Sequence, residues 1–151
     1  MRRTVSILAA AAVAFAGSLA LGAPASAATP SLRFHGAQYD SPGSDTRSNT
    51  SLNNEWISLV NSGSRAVNLN RYTIRDKANH VYTFGNVSIP ANGGRLWLHT
   101  GKGTANAQNR YWASGNYIWN NTGDTAILRT AANKTIDSCK WTTLSPGYSN
   151  C

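Results

Sequence analysis

Short runs of β-branched and aromatic residues, each alternating apolar with polar, recur along this chain and are broken by turn-forming residues at intervals of roughly ten positions. Beyond residue 28 no segment sustains a 3.6-residue apolar period. These two observations predict an all-β protein, an antiparallel sandwich or barrel with no long helix.

The elements follow in order. LRFHGA (residues 32–37) alternates apolar and polar positions. In EWISLV (55–60), Ile57 and Leu59 fall on one face, Trp56 and Val60 on the other. Val67 and Leu69 alternate, as do Tyr72 and Ile74. VYTF (81–84), VSI (87–89) and LWLH (96–99) come next, then YIW (117–119), AIL (126–128) and TID (135–137). Such residues fit a pleated, half-buried surface. Between them NSGS (61–64), PANGG (90–94), NNTGD (120–124) and AAN (131–133) accept positive φ or pre-set a bend. Residues 41–54 form the longest polar stretch and read as a surface loop within the domain.

The N-terminus carries a different signal. Arg2 and Arg3 precede an apolar run over residues 5–21, and Pro24 then leads into Ala25-Ser26-Ala27. Charge, apolar centre and small-residue cleavage site in that order read as a cleavable secretory signal peptide over residues 1–27. The alanine-rich run is at the short end for a membrane anchor. The expectation is therefore a secreted, extracellular protein with no stable membrane insertion after signal cleavage. Residues 28–151 then form one domain, long enough to bury a core.

Removing Arg2 and Arg3 leaves twelve basic residues against six acids, a formal charge of +6. A basic surface favours anionic partners such as nucleic acid, teichoic-type polymers or acidic lipid; equally, the arginines can serve only to keep the domain dispersed. Cys139 and Cys151 are the only cysteines. In an oxidising compartment an isolated pair forms one disulfide, and closing so short a loop contributes roughly 3 kcal/mol in the chain-entropy view. Two cysteines and three scattered histidines do not make a zinc site.

Several blocks then carry a family likeness. NNEWISLVNSG (53–63) resembles the opening strand block of the lamin-tail domain, and VNLNRYTIRD (67–76) resembles its next block. HVYTF (80–84) followed by IPANG (89–93) is similar to the family's aromatic strand and proline-led turn. HTGKGT (99–104) and WNNTGDTA (119–126) look like the pattern of bacterial secreted members. The likeness runs from about Leu32 to Trp141 with the blocks in family order. It implies an immunoglobulin-like antiparallel β-sandwich and a binding or adaptor role. In nuclear lamins such domains are associated with protein and DNA contacts; in bacteria they are often joined to exported hydrolases. It implies no catalytic residues.

The residues themselves show no nucleophile elbow, phosphate loop or zinc-protease motif. Asp76 and His80 flank a short turn, where they form either an acid–base pair or a turn aspartate beside a surface histidine. Asp40, Asp45 and Asn49 supply oxygens but lack the density and spacing of an EF-hand. No catalytic residue, metal site or cofactor is expected. Aromatic residues are the stronger lead, since sugar rings and bases both stack on exposed ring faces. Trp56, Trp97 and Trp119 lie in apparent strands and are expected to fill the core. The segment 110–119 is the densest in rings, and Arg110, Tyr111, Trp112 and Tyr117, with Lys102, are the candidate binding residues. The expected protein is a secreted non-catalytic module for nucleic acid, another anionic polymer or a protein partner. A cell-envelope glycan binder and a small secreted hydrolase with an unrecognised site are the alternatives.

Overall fold

Eleven strands and one short helix make up the described residues, 29–142 and 147–151, of a computed structural model. The leader read over residues 1–27 lies outside them. In chain order the elements are β1 (Leu32–Gln38), α1 (Asn49–Asn54), β2 (Trp56–Asn61), β3 (Val67–Asn68), β4 (Thr73–Arg75) and β5 (Val81–Thr83). β6 (Ser88–Ile89), β7 (Gly94–His99), β8 (Asn109–Tyr111), β9 (Gly123–Arg129), β10 (Thr135–Thr142) and β11 (Tyr148–Asn150) follow.

The alternating strands close into the expected sandwich. A five-stranded sheet in the order β11-β1-β2-β7-β8 faces a four-stranded sheet in the order β10-β9-β4-β5, and β3 and β6 form a small ribbon. Pairing is antiparallel except for β7 with β8. The core lies between the sheets: Phe34, Ile57, Leu59, Leu96 and Leu98 from one, Ile74, Ala126, Leu128 and Cys139 from the other. Each large apolar side chain removed from water contributes about 1.5–3 kcal/mol, so this layer is the main stabilising term.

Two cross-links hold the sheets in register. β1 carries a bulge between Phe34 and Gly36, and the backbone N–H of Phe34 donates to the Asp137 carboxylate from β10 at 2.8 Å. Cys139 on β10 is disulfide-bonded to Cys151, just after β11, with Cα atoms 5.4 Å apart. The predicted disulfide therefore links the two sheets and ties the end of the edge strand β11, which pairs with β1, to β10.

Three sequence expectations change. Residues 41–54 are not all loop: the Ser48 hydroxyl caps α1 by accepting from the Ser51 N–H at 3.2 Å, and Leu52 is buried beneath it. Residues 117–119 form no strand, because the Ile118 N–H donates to the Glu55 side chain at 2.8 Å instead of to a ladder. β8 and β11, both short and polar, had no apolar alternation to reveal them.

Candidate functional site

The aromatic residues divide into two sets. One is an interior chain: Tyr39 stacks on Trp141 at 5.0 Å, Trp141 meets Trp119 at 5.6 Å, and Trp119 meets Trp112 at 5.9 Å. From Trp112 the chain continues through Tyr82 at 5.7 Å to Phe84 at 4.9 Å. The tilted and edge-on arrangements suit ring quadrupoles, and the Trp141 indole N–H is satisfied by the Asn120 carbonyl at 2.9 Å.

The other set lies on the outer face of the five-stranded sheet. Burying Ile57, Leu59, Leu96 and Leu98 turns their alternating neighbours outward. Register then aligns these neighbours. Tyr148 stands opposite Gln38, Gln38 opposite Trp56, Trp56 opposite His99, and His99 beside Tyr111. This row crosses all five strands. In the next row Trp97 stands opposite Ser58 and beside Asn109; in a third, Val60 lies between Arg33 and Arg95. Ser58 and Val60 point outward yet are only 0% and 6% exposed, so their larger neighbours roof them.

Small residues let the rings lie down. A Cβ at Gly36 would come within 2.5 Å of the Tyr148 hydroxyl, and one at Gly103 would strike the Tyr111 ring. Tyr148 packs against Trp56 at 5.9 Å and Tyr111 stacks on His99 at 5.2 Å. His99 is pinned through both nitrogens, Nδ1 to the Asn53 carbonyl at 2.9 Å and Nε2 to the Asn109 side-chain amide at 3.0 Å. Trp56, Trp97, His99, Tyr111 and Tyr148 all remain partly exposed.

The face is also electrically one-sided. None of the five strands contains an acidic residue, while Arg33 and Arg95 stand on it. His35, at the bulge, has its pKa pushed down by partial burial and by the charges of Arg95 and Arg33.

Beneath the Tyr111 end, one buried acid joins three segments. Glu55 is 1% exposed; its Oε1 accepts from the Thr100 hydroxyl at 2.5 Å and the Ile118 N–H at 2.8 Å, and Oε2 is buried without a hydrogen-bond partner. Burial raises its pKa to about 7 against the opposing pull of these hydrogen bonds. α1 grips the loop after β7 alongside it. Asn49 and Asn53 donate to the Lys102 carbonyl at 2.9 and 2.8 Å, and the Lys102 N–H returns to Asn49 at 2.7 Å.

The residues singled out from sequence do not share one surface. Tyr111 belongs to the outer row. Arg110, its neighbour on β8, folds back so that its guanidinium donates to the Asn109 carbonyl at 2.9 Å and to that of Asn106. Trp112 packs against the core, and Tyr117 bonds the Ser51 hydroxyl at 2.6 Å. Lys102 is exposed on the gripped loop. The expectation that Trp56 and Trp97 fill the core is corrected: they occupy the outward positions of β2 and β7, and only Trp119 of the three is buried. The alternation of Trp56 and Val60 against Ile57 and Leu59 carried this information, as did Trp97 between two leucines. Tyr148 sat in a segment with no pattern.

The other candidates resolve into structural roles. Asp76 is buried and clamps the β4–β5 turn, accepting from the His80 N–H at 2.7 Å and pairing with its ring at 2.6 Å. Asp40 accepts from the Asn121 amide at 2.8 Å, and Asn49 is engaged by Lys102. Among the described residues no three His, Cys, Asp or Glu side chains cluster as metal ligands, and no helix is long and apolar enough to cross a membrane.

No curated protein matches the chain. The lamin tail domain family matches residues 25–143, which span both sheets up to the end of β10. The chain therefore belongs to the lamin tail domain family, and its sandwich is immunoglobulin-like.

Proposed function

We propose that this domain is an exported binding module that holds an anionic polymer, DNA foremost, on the outer face of its five-stranded sheet. The observation that carries the reading is the pairing of partly exposed rings with Arg33 and Arg95 across five strands that contain no acid. Cations and stacking surfaces on one flat face suit a chain that is both charged and ring-bearing. The leader-like N-terminus, the disulfide between the sheets and the family's non-catalytic character support an adaptor that works outside the cell.

Fluorescence anisotropy of labelled duplex DNA, titrated with residues 28–151 over a salt series, tests the reading. Saturable binding that weakens steeply with salt supports it, because phosphate contacts release counterions. Absence of binding at low salt removes duplex DNA. Export is tested by mass spectrometry of protein recovered from culture medium, with an N-terminus at Ala28 expected. Retention of residues 1–27 contradicts it.

A further inference from the structure

We propose that the polymer held on this face is single-stranded nucleic acid, with bases stacked on Trp56, Trp97 and Tyr148 and phosphates met by Arg33 and Arg95. The inference rests on the reading of the domain as an anionic-polymer module and names the chemistry of its ligand.

Three features separate this ligand from others. First, the rings lie on a sheet, and among polyanions only one with exposed bases makes use of them. A duplex hides its base faces, and this flat surface offers no helix or ribbon to enter a groove. Second, the polar groups between the rings are already engaged. Gln38 donates to the Asp40 carbonyl at 2.7 Å, the Ser58 hydroxyl to the Gly36 carbonyl at 3.2 Å, and Asn109 is bound to His99 at 3.0 Å. The Asn150 amide accepts from the Tyr148 hydroxyl at 3.1 Å. A neutral glycan, which depends on side chains that read its hydroxyls, finds few here. Stacking and phosphate neutralisation need none of them.

Third, charge and rings are set at matching intervals. Arg95 is two residues from Trp97 along β7, about 7 Å, and adjacent strands are about 4.8 Å apart, so the row from Tyr148 to Tyr111 is about 19 Å long. Arg33 uses one guanidinium nitrogen on the Ser62 hydroxyl at 2.8 Å, leaving other donors of its five for phosphate. Arg95 is exposed.

The test compares three probes at equal charge and low salt: an oligothymidylate of roughly 12 nucleotides, a length within single-strand site sizes on β platforms, its duplex with oligoadenylate, and inorganic polyphosphate. The oligothymidylate is expected to bind at least about tenfold tighter than polyphosphate and to shield tryptophan fluorescence from acrylamide, because each stacked base adds affinity. Trp97→Ala should lose about tenfold for the oligothymidylate and little for polyphosphate. Arg95→Ala should weaken both, and Lys140→Ala, on the opposite sheet, neither. The shielding measurement uses the unaltered protein, so it stands even where a tryptophan variant does not fold.

Equal binding of all three probes, with no shielding, overturns the single-strand inference and leaves the anionic-polymer reading intact. Failure of every polyanion to bind overturns both. Salt-insensitive binding of a neutral β-glucan oligomer in their place also overturns both and assigns the rings to sugars.

Discussion

Glu55 shows how a single side chain both organises and destabilises this fold. It ties the start of β2 to Thr100 and Ile118, yet its carboxyl is buried and ionises only near pH 7. Its folded pKa is raised above the unfolded value, so the protonated acid stabilises the native state at low pH. That contribution declines as pH rises between about 4.5 and 7, by about 3 kcal/mol at most. Glu55→Gln keeps a neutral amide there, so its stability should vary less between pH 5 and pH 8 than that of the wild type. Urea melts at the two pH values check this, and equal pH dependence of the two proteins would contradict it. Trp112 and Trp119 give a second residue-level expectation. Trp119 is buried within the interior ring chain, and Trp119→Ala should cost about 3–5 kcal/mol. Trp112→Ala should cost less but well over 1 kcal/mol, because that ring packs against the core. Denaturant midpoints that barely move for Trp112→Ala would return it to the surface.

The edge strands depend on devices other than apolar packing. β11 is three residues long, and it is retained by its pairing with β1 and by the disulfide from Cys139 to Cys151. Replacing both cysteines with serine should lower stability by roughly 3 kcal/mol and release Tyr148 from the outer face. Thermal melts and polyanion titrations of the same variant read the two effects separately. Gly36→Ala isolates the ring from the disulfide: its Cβ would collide with the Tyr148 hydroxyl, so the tyrosine must lift away. Tryptophan emission should shift as Trp56 loses that neighbour, since the two rings are 5.9 Å apart. An unchanged spectrum with unchanged DNA affinity would show that Tyr148 plays no part in the face.

Across the domain, the sandwich was legible because its central strands alternate cleanly. Ile57 and Leu59, Leu96 and Leu98, and Ala126 and Leu128 mark the inner faces without ambiguity. The same alternation named the outward tryptophans, but ring size alone argued for burial, and a large ring on an outer face becomes evident only when neighbouring strands supply others beside it. Strand order brings Trp56, Trp97, Tyr111 and Tyr148 together from four separate stretches of chain, and no local spacing encodes that order. The cluster at 110–119 misled for the converse reason: consecutive rings on a strand and its following loop point in different directions, so density along the chain is not density on a surface. Charge followed the same logic. The count of basic residues was visible, whereas the absence of acids from one whole sheet required its membership to be known.

The most direct test is the salt dependence of DNA binding by the wild type and by the Arg33→Ala/Arg95→Ala double variant, measured by anisotropy. If the outer face of the five-stranded sheet is the working surface, log affinity falls linearly with log salt and the double variant's slope is shallower by about 2, close to one for each lost phosphate contact. Identical slopes and affinities for the two proteins would contradict the assignment and move the interface away from this sheet.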